Sequence, residues 1–445
     1  MKTINILGAG LVGSLLAIYM AKRGFSVNVY ENRSDLRKNL HLQGKSINLA
    51  LSDRGWKALE TVDVADAIKK IAIPMHGRMI HNLNGTLNFQ PYGTENQCIY
   101  SVSRSDLNRV LLNEAEKMEN VHLFFDSVCE KVDLKANKFW IRNTKNKQIQ
   151  EIENTLTFGA DGAFSALRLA MQRTDRYTYS QSYLPDGYKE LLIPAGKNGE
   201  FLLEKNALHI CPRGKFMLIA LPNFDGSFTC TLFLSFESGE HHFANLTTEK
   251  AVLDFMQTHF PDISALIPNL CEQFFQNPTG AMLTVRASSW VYENRFALIG
   301  DAAHAIVPFY GQGMNAGFED CRILNELLDK YSENLEQVFT DYQAVRIKDS
   351  AAIADLALNN FVEMRDKTAD PKFLLQKKIE AKIHQLFPKK WLPLYSMVTF
   401  SHIPYSEAQK IGFEQEEIMQ KIMQIPDIEN SWESLDFENI LFATK

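Results

Sequence analysis

Within the first dozen residues a short run of strand formers, Ile4, Ile6 and Leu7, breaks into Gly8-Ala9-Gly10-Leu11-Val12-Gly13, and few folds accept that pattern. A G-x-G-x-x-G turn between a buried strand and a helix belongs to a doubly wound α/β sheet. Residues 11–23 carry the helical pattern, and Gly24 is placed to end it in the left-handed conformation. Val27 and Val29 then alternate into a second strand closing at Glu31, where a carboxylate accepts ribose hydroxyls. These features predict that Gly8, Gly10, Leu11, Val12, Gly13 and Glu31 hold a dinucleotide whose pyrophosphate lies on the helix N-terminus. The turn alone does not separate FAD from NAD.

Composition narrows the partners. With 445 residues, 45% of them hydrophobic, the chain can build the cores of about two or three domains. A formal net charge of -6 with no block of Lys or Arg offers no electrostatic footprint for nucleic acid or an anionic membrane. Cys98, Cys129, Cys211, Cys230, Cys271 and Cys321 form no CxxC pair, which argues against zinc and a disulfide framework and fits a reducing compartment. No stretch approaches the ~20 apolar residues that span a bilayer; the nearest, 391–400, is too short and contains Pro393. Strand formers begin by Ile4, leaving no room for a signal segment, so a soluble, cytoplasmic protein is expected.

Beyond Glu31 the chain does not continue as regular βα units. Residues 71–100 read as extended and turn-rich, and a helix follows with Leu107, Val110, Leu111 and Ala115 on one face. Strand returns at 121–125, and 202–236 holds several strand-like runs broken by CPRG and NFDG turns. Residues 297–299 form another buried strand, and from Leu335 onward the pattern is mainly helical.

The segment FALIGDAAHAIVPFYGQGMNAGFEDCRILNELL distinguishes the dinucleotides better. A buried strand ends at Gly300 and Asp301, and Gly311, Gly313 and Gly317 then open a helix with Cys321, Leu324 and Leu328 on one face. Such a start aims backbone N–H groups and a positive dipole end at a ligand. An isoalloxazine ring suits that place, because reduction puts negative charge near its N1 and C2 oxygen. Here the chain resembles the single-component flavoprotein aromatic hydroxylases, in which a GD motif of this form binds the flavin ribityl chain. In TFGADGAFSALR, Asp161 and Gly162 are similar to the DG motif of the same class. The resemblance implies bound FAD, contacted also by Asp161, Gly300, Asp301, Gly311, Gly313, Met314 and Asn315. It further implies NADPH as a transient co-substrate, and no second G-x-G-x-x-G occurs in a strand-to-helix context.

Several stretches resemble the kynurenine 3-monooxygenase family in particular: GKSINLALSDRG (44–55), GRMIH (77–81), PYG with YSVSRSDLN (91–108), NNFVEMR (359–365) and PLYSMVTFSHIPY (393–405). That resemblance implies an α/β fold in which a Rossmann-like FAD-binding domain (1–70, 98–175, 285–334) interleaves with a mixed β-sheet substrate domain (71–97, 176–284). A mainly helical region, 335–445, would complete the pocket. Arg78 and Tyr92 would hold the substrate carboxylate, Asn360 and Tyr395 would add polar contacts, and Arg104 would touch the flavin. An arginine fork suits a carboxylate through two charge-assisted hydrogen bonds. Alternate residues of 231–236, with Pro308 and Phe309, are candidates for the apolar wall, while His304 is expected to pack near the cofactor without a catalytic role.

The implied activity is NADPH-dependent hydroxylation of L-kynurenine by O2 through a flavin C4a-hydroperoxide, giving 3-hydroxykynurenine. Eukaryotic members carry a C-terminal membrane anchor, and none is expected here from FENILFATK. Two rivals stay open: a related hydroxylase of another aromatic acid, which should lack GRMIH, PYG and NNFVEMR at these positions, and a non-catalytic carrier of the same fold, which has no need of both GDAAH and GQGMNAG.

Overall fold

The computed structural model describes residues 2–38, 48–93, 97–332, 334–364 and 370–442. Residues 44–47 of GKSINLALSDRG and Arg365 of NNFVEMR lie outside the described residues, as does the ATK end of the final motif.

A six-stranded sheet runs in the order Val291–Tyr292, Phe296–Leu298, Thr157–Gly159, Thr3–Leu7, Ser26–Tyr30 and Val121–Phe124, parallel except at its first pair. Thr3–Leu7 sits between its neighbours with Ile6 opposite Phe158 on one side and Val29 on the other. Both faces are covered, as near-continuous apolar strands require. The helices Leu11–Lys22, Arg104–Glu116 and Gly313–Tyr331 pack together, and the antiparallel sheet Ser127–Asp133, Lys138–Asn143 and Ile149–Glu153 brings the buried Phe139 against Tyr30. The first helix stops at Lys22, with Gly24 at φ +84°, where the sequence places its end.

A seven-stranded sheet runs Thr279–Ala287, Tyr179–Ile193, Phe228–Ser235, Met217–Pro222, Ala207–Pro212, Gly77–His81 and Leu87–Pro91, and only the Ala207–Pro212 to Gly77–His81 pair is parallel. Period-2 alternation in Phe228–Ser235 sends Cys230, Leu232 and Leu234 into a core with the helices Glu249–His259 and Leu270–Gln276, and turns Thr231 and Phe233 to the opposite face. The strand Thr279–Ala287 keeps its pairing through Ala287, so the domain boundary expected between 284 and 285 falls inside a strand. Sheet pairing, which the local pattern does not report, holds those last residues.

The helix Leu335–Val362, about 40 Å long at 1.5 Å per residue, reaches from the first sheet toward the second. Near its start the Tyr342 hydroxyl donates to the Leu298 carbonyl, and near its end Asn360 donates to the Phe309 carbonyl. The helices Leu394–Thr399 and Tyr405–Met423 pack on each other, and the second also packs on this long helix. Between the two large sheets lies a cavity of about 750 Å³. Its rim follows the carboxyl ends of the parallel strands, the usual ligand position of such a sheet.

Candidate active site

One end of the cavity is backbone. Gly8 has φ +99°, and a Cβ there would stand 2.5 Å from the Ala160 carbonyl oxygen; a Cβ on Gly13 would stand 1.9 Å from that of Gly8. A Cβ on Gly10, by contrast, would meet nothing of the protein and would project into the cavity. Two of the glycines therefore allow strand and helix to close on each other, and the middle one leaves room for a ligand. The helix behind the turn has no side-chain cap and no acidic residue in its first turn, so its leading N–H groups are open to an anion.

Glu31 stands beside the turn with both oxygens engaged. Its Oε2 accepts from the Ala9 N–H at 2.8 Å, and its Oε1 accepts from the Arg33 N–H at 2.9 Å and from Arg33 Nε at 2.8 Å. Burial acts to raise the Glu31 carboxyl, but Arg33 outweighs it and holds the group below its ordinary value. Asp161 follows the strand Thr157–Gly159; its Oδ2 accepts from the Ala166 N–H at 2.7 Å, while its buried Oδ1 has no partner among the described residues. Burial pushes this carboxyl upward. Asp301 and Arg104 also line the cavity.

The glycine-rich second motif forms the adjoining wall. Gly300 has φ +61°, and Cβ atoms on Gly300 and Gly317 would press on Val12 at 2.9 and 2.5 Å, so Val12 locks the two glycine-rich motifs together. Gly311 (φ +68°), Gly313 and Met314 line the cavity where the helix Gly313–Tyr331 begins, again without a side-chain cap. Asn315 turns inward instead: its amide donates to the Ala50 and Gly311 carbonyls, both at 2.8 Å, and its Oδ1 accepts from the Ser52 N–H at 3.0 Å. Gly13, Gly300 and Asn315 thus shape the wall from behind, whereas Gly8, Gly10, Leu11, Val12, Glu31, Arg104, Asp161, Asp301, Gly311, Gly313 and Met314 face the cavity. Two uncapped helix starts, an orphaned buried carboxylate oxygen and room above Gly10 fit an FAD, with its diphosphate at the first helix and its ring system at the second.

From the seven-stranded sheet Arg78 lines the cavity. The Arg78 guanidinium lies 4.7 Å from the Tyr395 ring centre and 5.6 Å from that of Tyr92. The Tyr92 and Tyr395 rings stack at 5.4 Å, and Tyr310 extends the stack at 5.7 Å from Tyr395. Burial works against the Arg78 charge, but Tyr395, Tyr92 and Glu363 outweigh it and favour the charged form. Arg78 Nε and the Tyr92 hydroxyl are buried without hydrogen-bond partners among the described residues. Arg78 and Tyr395 line the cavity whereas Tyr92 stands behind them, and a buried cation with a spare donor is equipped to receive an anionic group.

Asn360 is not brought into this group. It is buried behind the wall, its amide donating to the Phe309 carbonyl at 2.7 Å, and so it steadies the loop that carries Phe309. Pro308, Phe309, Thr231 and Phe233 line the cavity as the sequence suggests, with the Phe233 and Phe309 rings 4.9 Å apart. His304 packs on Trp290 at 4.9 Å and its Nε2 lies 2.6 Å from Asp320 Oδ2, away from the cavity. Sequence reasoning missed Tyr310, Met364 and Arg33. Tyr310 and Arg33 adjoin residues already singled out, Phe309 and Gly311 in one case and Glu31 across one residue in the other; Met364 lay within NNFVEMR unremarked.

Residues 1–355 match a protein family described as an FAD binding domain. The chain is similar to kynurenine 3-monooxygenase of Flavobacterium johnsoniae, with 51% identity over 436 residues that cover 98% of this chain and 97% of that protein. It is similar also to kynurenine 3-monooxygenase of Sus scrofa, with 45% identity over 91% of this chain and 85% of that one. Among solved structures, the tetrameric form of 2-methyl-3-hydroxypyridine-5-carboxylic acid oxygenase shares the fold at a TM-score of 0.68 and 17% identity, covering 83% of this chain and 94% of that one.

Proposed function

The chain belongs to the kynurenine 3-monooxygenases, FAD enzymes that oxygenate L-kynurenine with electrons from NADPH, and from that premise we propose which of its residues carry the reaction. The observation that carries the reading is a single cavity lined both by an anion-ready backbone cradle and by Arg78, whose Nε has no partner among the described residues.

Bound FAD supplies the electron transfer and oxygen activation. The chain's residues bind, orient and exclude water. Gly8, Gly10, Leu11 and Val12 would receive the diphosphate, and Glu31 would accept hydrogen bonds from ribose hydroxyls. Asp161, Asp301 and Arg104 contact the rest of the cofactor, with Gly13, Gly300 and Asn315 holding the wall. The helix start at Gly311, Gly313 and Met314 would turn its positive dipole end to the ring system. Arg78 forks onto the substrate carboxylate while Tyr92 and Tyr395 donate hydroxyls, and Asn360 serves the site by fixing Phe309. Phe233 and Phe309 flank the aromatic ring and keep water from the reacting face. The ring's own amino group supplies the electron density that attack requires, so orientation is the chain's main contribution.

The flavin is assigned to 1–70, 98–175 and 288–334, the substrate sheet to 71–97 and 176–287, and pocket closure to 335–445. A cytoplasmic site of action is supported by six cysteines that are all free. Among the described residues no helix is long and apolar enough to cross a membrane.

The test is NADPH consumption by the FAD-loaded protein in air, with and without L-kynurenine, with the product weighed. Consumption should rise with L-kynurenine and yield a product one oxygen heavier. Stimulation that yields only hydrogen peroxide, or no stimulation, would overturn the assignment of these residues to kynurenine.

A further inference from the structure

The stretch SDRG at 52–55 takes no direct part in the site, yet the Ser52 N–H donates to Asn315 and a Cβ on Gly55 would stand 2.4 Å from Asn315 Oδ1. Between them Arg54 is fully buried, and its guanidinium reaches away from its own helix, Asp53–Glu60, into the C-terminal region. Its Nε donates to the Val398 carbonyl at 2.9 Å, and its Nη2 donates to the carbonyls of Met397, at 3.3 Å, and of Ile403. Its Nη1 donates to Glu319 Oε1 at 2.9 Å, and the guanidinium lies 4.0 Å from the Tyr405 ring centre.

Met397 and Val398 belong to the helix Leu394–Thr399, which also carries Tyr395. Six residues are too few for a helix to hold by itself, because nucleation is costly and few intrahelical bonds repay it. Its last carbonyls have no partner within the helix, and they form the negative end of its dipole. Arg54 answers both needs with one charge and several donors. It also joins this helix to the flavin wall: Glu319 lies on the helix Gly313–Tyr331, and the Tyr405 hydroxyl donates at 2.8 Å to Gln312, which sits between Gly311 and Gly313.

We propose that Arg54 is a positioning residue for substrate binding, capping the helix Leu394–Thr399 so that Tyr395 stands beside Arg78 and Tyr92. The proposal rests on the reading of Arg78, Tyr92 and Tyr395 as the clamp for the substrate carboxylate. Arg54→Lys keeps a cation near Glu319, but an ammonium group cannot span three carbonyls and a carboxylate or lie flat on Tyr405.

The experiment is a double-mutant cycle on the full-length, FAD-loaded protein, with L-kynurenine affinity read by calorimetry and flavin content by absorbance. Arg54→Lys should weaken L-kynurenine binding about tenfold with FAD stoichiometry unchanged. In a Tyr395→Phe background the same change should cost less than about twofold, because the group it positions is already gone. An equal penalty in both backgrounds would make Arg54 a general support and overturn the proposal. If Arg78→Ala and Tyr395→Phe both leave affinity unaltered, the clamp reading fails and takes this proposal with it; if they weaken binding while the cycle stays additive, only the role of Arg54 fails. Should Arg54→Lys not retain FAD, Tyr405→Leu, which removes the ring beneath the guanidinium, takes its place in the cycle with the same two outcomes.

Discussion

An interior arginine ordinarily spends its donors on carbonyls or carboxylates, as Arg54 and Arg346 do here. Arg78 instead keeps Nε free of protein partners among the described residues, and that reserve is the basis for a quantitative expectation. Arg78→Ala should raise the KM for L-kynurenine on the order of 100-fold, as losing a charge-assisted fork of about 3 kcal/mol does. Flavin content should stay intact, because Arg78 is carried by the seven-stranded sheet whereas Gly8 and Glu31 follow strands of the six-stranded one. Steady-state kinetics beside the flavin absorbance check both halves, and an unchanged KM removes Arg78 from the head-group site. At this scale Glu31 was legible from strand register and spacing alone. Arg78, Tyr92 and Tyr395 were legible only through resemblance, since nothing local marks a surface arginine apart from one that folding buries. Asn360 shows the same limit from the other side: its motif was visible, but its bond to Phe309 depends on a loop 51 positions away.

Among the elements, strongly periodic segments were readable. The helix Arg104–Glu116 buries Leu107, Leu111 and Ala115, and Phe228–Ser235 alternates between two apolar surroundings. The fifteen-residue strand Tyr179–Ile193 was not marked, because Pro185, Asp186 and Gly187 interrupt its pattern where the ladder to Thr279–Ala287 shifts register. Two strands of the same sheet are tied by a further unread device. His81 Nδ1 lies 2.5 Å from Asp262 Oδ2, its Nε2 lies 2.8 Å from His209 Nδ1, and His209 Nε2 donates to the Glu204 carbonyl. Burial, with His81 adding to it, pushes the His209 imidazole down to about 4 against the opposing Glu204 carbonyl. The folded state therefore keeps His209 neutral where the unfolded chain, titrating near 6.5, takes up a proton. Stability from this residue is complete above about pH 6.5 and falls as the pH drops toward 4, by up to about 1.4 kcal/mol per unit. Urea unfolding between pH 7 and 4.5 should show a shallower pH slope in His209→Gln than in the parent; identical slopes would assign the linkage to another group.

For the whole molecule, the flavin helix and the C-terminal helices are joined through buried charge. Arg346 Nε donates to Asp320 Oδ1 at 2.7 Å and Nη1 to Glu319 Oε2 at 2.9 Å, and Glu319 also accepts from Arg54. Burial acts to raise both carboxyls, but Arg346, with His304 beside Asp320 and Arg54 beside Glu319, holds them below their ordinary values. Arg346→Ala leaves three buried carboxylates, Glu319, Asp320 and Asp349, short of a counter-charge and should cost about 3–5 kcal/mol, read as a lower urea midpoint. A loss below about 1 kcal/mol would mean that water or rearranged neighbours replace the arginine. The amino-acid sequence by itself determined the glycine turn, its acidic partner and the helix starts, because positive φ, close backbone approach and strand-to-helix spacing are settled by residues a few positions apart. Tertiary structure alone decided that Arg54 meets Glu319 across 265 positions and that Tyr395 stacks on Tyr92 beside Arg78. Such pairings gain their strength from burial and closure of the whole chain, and no local pattern carries that information.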